Sequence, residues 1–188
     1  MIALIVILVI VVLAVLFFVV SYNGLVRMRN RVDQSWSQIG VQLERRHDLI
    51  PNLIETVKGY AAHERQTLEA VVEARNSAVQ AQQSSQAGPA QQAQAENVLT
   101  GALRQLFALS EAYPDLKANQ NFLNLQEELT ATEDRISYAR QFYNDSVQKY
   151  NTGIQTFPRN VIAGMFNFSP RQFFQAEEGA QEVPKVQF

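Results

Sequence analysis

An uninterrupted apolar run at the amino terminus places the strongest constraint on how this chain can fold. The first twenty residues, MIALIVILVIVVLAVLFFVV, contain no charged or polar side chain. As a helix, the nineteen residues after Met1 would extend ~28 Å, close to the ~30 Å hydrocarbon core of a bilayer. A cleaved signal peptide would have a basic segment before the run and a small-residue cleavage site after it, and the sequence has neither. We therefore predict that residues 1–22 form an uncleaved membrane-spanning anchor.

Positive charge flanks this run on one side only. Arg27, Arg29 and Arg31 follow it, and no basic side chain precedes it. Because basic flanks are retained in the cytoplasm, we predict an external amino terminus and a cytoplasmic domain after the anchor.

The composition excludes several functional classes. The 188 residues contain no cysteine, which rules out disulfides, thiolate metal ligands and cysteine nucleophiles. A formal net charge of -2 gives no indication of a nucleic-acid partner. A chain of this length can form one core-containing domain with appendages.

Apolar side chains recur at seven-residue spacing after the anchor, which predicts a long amphipathic helix. One slot contains Val32, Ile39, Leu53 and Tyr60, and a second contains Trp36, Leu43, Ile50 and Val57. Arg46 also occupies the first slot, where a buried charge would need a partner.

Pro51 lies inside this pattern and has two interpretations. It is either a kink in one helix or a first-turn residue of a new helix, with residues 47–50 as the corner. Asp48 favours the corner, because a carboxylate stabilises a helix amino terminus. We therefore predict that Arg46, His47, Asp48 and Pro51 serve structure or interaction at a helix-helix corner.

Turn signals divide the remainder of the chain. Residues 81–95, rich in Gln, Ala and Ser, predict a loop, and a second helix is predicted over about 96–112 with an interruption at Pro114. The longest helix has apolar residues seven apart and ends at Pro158; these residues are Phe122, Leu129, Ile136, Tyr143, Tyr150 and Phe157. No window shows sustained two-residue alternation, so the predicted fold class is all-α.

Several long stretches of the chain resemble the LemA family. They are the apolar anchor, RRHDLIPNLIETVKGYAAHE, YPDLKANQNFLNLQEEL, TEDRISYARQFYNDSVQKYNTGIQTFP and the closing EVPKVQF. The resemblance covers essentially the whole chain. It implies a single-pass protein of the bacterial inner membrane, whose residues 23–158 form an antiparallel, up-and-down bundle of four long helices. It brings no catalytic activity with it.

The sequence lacks the motifs of familiar chemistries. A zinc-protease signature starting at His63 would need a second histidine at position 67, where Thr67 stands. No P-loop, dinucleotide fingerprint or nucleophile elbow occurs. We therefore predict no catalytic, cofactor or metal site, and no small-molecule substrate is evident.

Two arrangements of Arg46 remain open from the sequence. Its guanidinium could pair with Glu133, which stands beside the apolar stripe of the longest helix, or it could extend to solvent along its aliphatic stem. We expect Arg46→Leu to leave the fold intact, provided that Glu133 is not left buried alone.

The last predicted segment, residues 159–188, begins with too many large apolar groups for a free tail. We expect it to pack across the membrane-facing end of the bundle, with Arg159 and Arg171 meeting anionic head groups. The candidate membrane-interface residues are Phe166, Phe168, Phe173 and Phe174. The alternative is that the segment only caps the core of the bundle.

Two functional hypotheses follow. The first is a membrane-anchored scaffold or membrane-organising protein that binds protein partners and could self-associate. The second is an enzyme or obligate enzyme subunit, such as the partner of a membrane protease or hydrolase. A buried polar pocket with converging ionisable groups would favour the second hypothesis, and a solid apolar core would favour the first.

Overall fold

The computed structural model describes residues 1–84 and 86–174, and these residues form helices and turns with no strand. The helices are α1 (Ile2–Lys58), α2 (Arg65–Gln83), α3 (Pro89–Ser110), α4 (Pro114–Lys117), α5 (Gln120–Gln155) and α6 (Arg159–Met165). The predicted all-α fold class is confirmed. The closing EVPKVQF lies outside the described residues.

The apolar run forms the first turns of α1. Among the described residues, α1 is the one helix long and apolar enough to cross a membrane, and its most apolar stretch has no buried residue. A helix that exposes large apolar side chains all round is adapted to lipid rather than to water. The helix continues without a break to Lys58, a length of 57 residues.

The chain divides into two compact units, which we describe separately. The first contains Met1–Ser37 and Phe142–Arg171, and the second contains Gln38–Gln141 and the described residues from Gln172 onward.

The second unit is a four-helix bundle built from the end of α1, α2, α3 and the first part of α5. Arg75 and Gln82 on α2 donate to the main-chain carbonyls of His47 and Gly40 on α1. Higher numbers on α2 therefore meet lower numbers on α1, as antiparallel packing requires. The chain reverses between α1 and α2, between α2 and α3, and between α3 and α5.

The interior of this bundle is formed by the apolar stripes of all four helical segments. Its fully or nearly buried side chains include Ile50, Leu53, Val57, Leu68, Val71, Leu99, Leu103, Leu106, Phe122 and Leu129. Near the connection between α3 and α5, the ring of Phe107 on α3 packs against that of Phe122 on α5, with centroids 6.2 Å apart. The seven-residue apolar pattern thus marks the packed face of each helix.

The predicted corner at Pro51 is wrong. Pro51 is exposed inside α1, and the chain turns after Lys58 instead. Proline cannot donate to the carbonyl four residues earlier, which here belongs to His47. Arg75 replaces the missing donor, because its Nε lies 2.8 Å from that carbonyl oxygen. The role predicted for Asp48 is also wrong, since no helix begins there and its side chain is exposed.

We expect Arg75→Leu to lower the free energy of unfolding by about 1–3 kcal/mol, because it leaves the His47 carbonyl without a partner in the interior. In a Pro51→Ala background the cost should be smaller, since the restored N–H can donate to the same carbonyl. Chemical denaturation of the four variants measures this coupling. Equal costs in both backgrounds would contradict the assigned role of Arg75.

The predicted loop over residues 81–95 is too long. Helix α2 continues to Gln83 and α3 begins at Pro89, so both helices extend into the range predicted as a loop. Alanine and glutamine are good helix formers, and packing in the bundle supports them. Gly88 precedes the helix and Pro89 occupies its first turn, where proline is favoured.

The first unit is formed by the early part of α1, the last part of α5, and α6 with the residues that follow it. The Trp36 and Tyr143 rings lie 5.2 Å apart. Further along, α5 approaches α1 closely, since a Cβ added at Gly153 would lie 2.9 Å from Met28 Sδ. Tyr150 donates to the carbonyl of Ser169 at 3.0 Å, which fixes the chain after α6.

Candidate functional site

A cluster of charged side chains lies inside the four-helix bundle, centred on Arg46. Only 1 % of Arg46 is exposed. Its Nη1 lies 2.5 Å from Glu133 Oε2 and 3.1 Å from Thr100 Oγ1, and its Nη2 bonds to Glu96 Oε2. The guanidinium therefore bridges α1 to both α3 and α5.

Glu96 is the second fully buried charge. Its Oε2 accepts from Arg46, and its Oε1 lies 2.9 Å from Nε2 of the buried His47. Burial raises the pKa of Glu96, but the hydrogen bond to His47 and the charge of Arg46 outweigh it, so the pKa lies below its ordinary value. Glu96 is thus ionised in the interior, where an unpaired carboxylate would be very costly.

Glu133 and Arg140 lie at the edge of the cluster. The side chain of Glu133 is 40 % exposed, so it connects the buried guanidinium to solvent. Desolvation lowers the pKa of Arg140, while the charge of Glu133 opposes this shift.

A small cavity of about 190 Å³ adjoins the cluster. Its lining includes Arg46, Glu133, Thr100, Thr130 and Asp134. The hydroxyls of Thr100 and Thr130 donate to main-chain carbonyls, at 3.0 Å and 2.8 Å. Neither hydroxyl therefore donates to a general base that could activate it as a nucleophile. The guanidinium of Arg46 has hydrogen-bond donors and no acceptor, so it can bind a ligand's acceptor but offers none of its own.

The ionisable groups converge, as the enzyme hypothesis requires, but they neutralise one another. Both oxygens of Glu96 are engaged, by Arg46 and His47. Within residues 1–84 and 86–174, no group of three or more His, Asp and Glu side chains could hold a metal ion. The arrangement serves to link three helices electrostatically.

The structure brings some of the candidate residues together and separates others. Arg46, His47 and Glu133 join the cluster, whereas Asp48 and Pro51 are exposed on α1. Sequence reasoning missed Glu96. The signal was available, because Glu96 shares one helical stripe with Leu99, Leu103 and Leu106, and a charge on an apolar stripe needs a partner.

The candidate membrane-interface phenylalanines divide between the two units. In the first unit, the Phe166 ring packs 5.8 Å from Phe18 and 4.8 Å from Tyr22. Phe168 lies 5.9 Å from Tyr22 and under the guanidinium of Arg29. Since Phe18 belongs to the apolar run of α1, these contacts place residues 166–168 beside the last turn of the candidate span.

Phe174 does not join the predicted membrane-interface group. It belongs to the second unit, is fully buried, and has the guanidinium of Arg140 5.3 Å from its ring centre. Phe173 is 40 % exposed. A buried ring cannot enter a bilayer, so the prediction for Phe174 is corrected to a role in the core.

Together these features define a class of protein. It is an antiparallel helical bundle with an interior ion-pair cluster, and its first helix begins with a segment that can span a membrane. The model of the LemA family matches residues 35–188, and the chain belongs to this family. It is therefore a membrane-associated LemA-family protein.

Similar proteins carry two different names. Magnetosome protein MamQ 2 of Paramagnetospirillum magneticum is 26 % identical over 93 % of this chain and 73 % of its own length. Protein LemA of Metamycoplasma hominis is 28 % identical over 83 % and 69 % of the respective chains. Magnetosome protein MamQ of Magnetospirillum gryphiswaldense is 26 % identical over 88 % and 68 %.

Proposed function

We propose that this protein is a non-enzymatic scaffold of the bacterial inner membrane, with its amino terminus outside and its helical bundle in the cytoplasm. The observation that carries the proposal is the continuity of α1. One 57-residue helix includes the candidate span and also supplies a wall of the bundle core. A bundle fused in this way to a membrane anchor is held at the bilayer, where its outer faces can recruit protein partners.

The interior of the bundle supports a structural role for its charges. Arg46 and Glu96 are each at most 1 % exposed and are bonded to each other. A buried pair of this kind fixes how the helices align, because any other register would leave a charge unpaired. The competing function, an enzyme or obligate enzyme subunit, would use the cavity beside Glu133, whose carboxylate is already engaged by Arg46.

The orientation rests on Arg27, Arg29 and Arg31, which follow the apolar run. The names of the relatives support no single process for the proposed scaffold, because some are called magnetosome proteins and another is called LemA. We therefore propose the bundle as a shared platform whose partners differ between proteins of the family.

A single fusion tests both parts of the proposal. A proximity-labelling enzyme attached after Phe188 should modify cytoplasmic and inner-membrane proteins in living cells, since the domain after the anchor is cytoplasmic. The control carries the label directly after residue 37, and so lacks the bundle. Neighbours found only with the full chain are candidate partners of the bundle.

Two outcomes would contradict the proposal. Labelling of proteins outside the cytoplasm by the full chain would overturn the orientation. An identical set of neighbours for the full chain and the control would show that the bundle recruits nothing. Glu133→Gln tests the competing enzyme hypothesis, because it neutralises the carboxylate beside the cavity. A scaffold should keep its labelled neighbours in this variant.

A further inference from the structure

A long groove in the first unit lies along α1 and the last turns of α5. Its volume is about 1240 Å³. One part of its wall is apolar and belongs to the candidate span: Leu13, Leu16, Phe17 and Val20. All four side chains come from the region of α1 that is adapted to lipid.

The other part of the groove is polar and carries an excess of positive charge. Arg31 on α1, Lys149 on α5 and Arg159 on α6 line it, against the single carboxylate of Asp145. Arg31 and Lys149 are exposed side chains that line the groove, and the guanidinium of Arg31 also lies 5.1 Å from the ring centre of Phe142. The apolar wall and the cationic end together complement a molecule with a long hydrocarbon chain and an anionic head.

We infer that this groove binds an anionic phospholipid of the leaflet beside α6. The acyl chain lies along the apolar wall of α1, and the phosphate lies at Arg159. The inference deepens the proposed function and rests on it, because it takes the apolar run of α1 to lie in the bilayer.

The order of residues along α1 agrees with this arrangement. Arg159 at the start of α6 lines the same groove as Val20, and Phe166 just after α6 packs against Tyr22, so both ends of α6 lie beside the end of the apolar run, where the head groups are expected. Arg31 follows Val20 by a helical rise of ~16 Å. The arginine side chain shortens this distance, so the guanidinium of Arg31 lies within about one Debye length of the membrane surface and can attract an anionic head group.

Exposed apolar side chains around α6 support the same placement. Phe157 is 79 % exposed, Val161 55 % and Met165 66 %. Exposure of these large apolar side chains to water would be unfavourable, whereas a bilayer would cover them. A lipid bound in the groove would therefore lie beside side chains that also contact the bilayer.

The test uses the full chain in detergent, where no bilayer orients it. Native mass spectrometry should detect a bound phosphatidylglycerol, and phosphatidylcholine should bind roughly tenfold more weakly or less, because it lacks net negative charge. Replacing Arg31, Lys149 and Arg159 by glutamine should reduce phosphatidylglycerol binding by about tenfold or more. Glycerol phosphate, which has the anion without the acyl chain, should not compete.

Two further variants control for charge and for shape. Replacing Lys58, Arg65 and Lys117 by glutamine removes the same charge from exposed sites outside the groove and should leave binding unchanged. Thr156→Trp should abolish binding by filling the groove, since Thr156 lines it and is exposed.

Equal binding by both glutamine triple variants would overturn the lipid site and indicate a nonspecific lipid shell. Competition by glycerol phosphate would indicate an anion site instead. A dimer disrupted by Thr156→Trp would assign the groove to a second copy of the chain. The proposed orientation is tested separately by proximity labelling, which does not depend on lipid in the groove.

Discussion

Replacing Arg46 by leucine should lower the free energy of unfolding of the bundle by about 3–5 kcal/mol, the usual cost of removing one partner of a buried ion pair. The sequence predicted that Arg46→Leu leaves the fold intact on the condition that Glu133 is not left buried alone. Glu133 meets that condition because it is 40 % exposed. Glu96 does not, because its side chain is 1 % exposed and would lose its cationic partner.

A double variant distinguishes the stranded carboxylate from a general loss of packing. Arg46→Leu combined with Glu96→Leu removes both buried charges, and part of the lost stability should return because apolar replacements of a buried pair are often neutral or better. The return is incomplete because the buried Nε2 of His47 loses its Glu96 partner. Urea denaturation of the full chain in detergent, followed by circular dichroism, measures all variants.

The neighbouring Arg45 provides the matched control for Arg46. Its side chain is 51 % exposed and lies 3.9 Å from Glu128, so Arg45→Leu should change stability by less than about 1 kcal/mol. An Arg46→Leu variant as stable as Arg45→Leu would contradict the assigned role of the interior cluster. A double variant no more stable than Arg46→Leu alone would show that packing, rather than charge, causes the loss.

Truncating Phe174 to alanine should cost about 3–5 kcal/mol, because a fully buried ring leaves a cavity when it is removed. Phe174 is 0 % exposed and lies against the guanidinium of Arg140. The adjacent Phe173 is 40 % exposed, and its truncation should cost much less. The same denaturation measurement compares the two neighbouring variants, and equal losses would contradict the core position of Phe174.

A comparison of Phe166→Ser with Phe174→Ala separates an effect on membrane contact from an effect on stability. If residues 166–168 lie at the interface, Phe166→Ser should weaken vesicle binding while leaving the unfolding transition of the second unit in place. Phe174→Ala should have the opposite pattern. We therefore propose membrane contact for residues 166–168, while the predicted alternative of core capping describes Phe174 and also Ile162 and Ala163, which are buried.

Local patterns in the sequence were sufficient for the main elements of the fold. Twenty apolar residues predicted the candidate span, and the seven-residue apolar spacing predicted the all-α class and the long helices, because both depend on neighbours along one helix. Arg46 could be singled out in the same way, as a charge on an apolar stripe. Its partner could only be suggested, since the position of Glu133 beside another stripe does not measure a distance.

The tertiary structure decided what depends on residues far apart in the chain. Pro51 remains inside α1 because Arg75, from another helix, bonds to the carbonyl that proline leaves free. Glu96 carries the interior charge because α3 brings it to Arg46, fifty positions away. Local propensity specifies where a helix can form, but the partner of a buried polar group is chosen by how helices pack, and that choice depends on all of them at once.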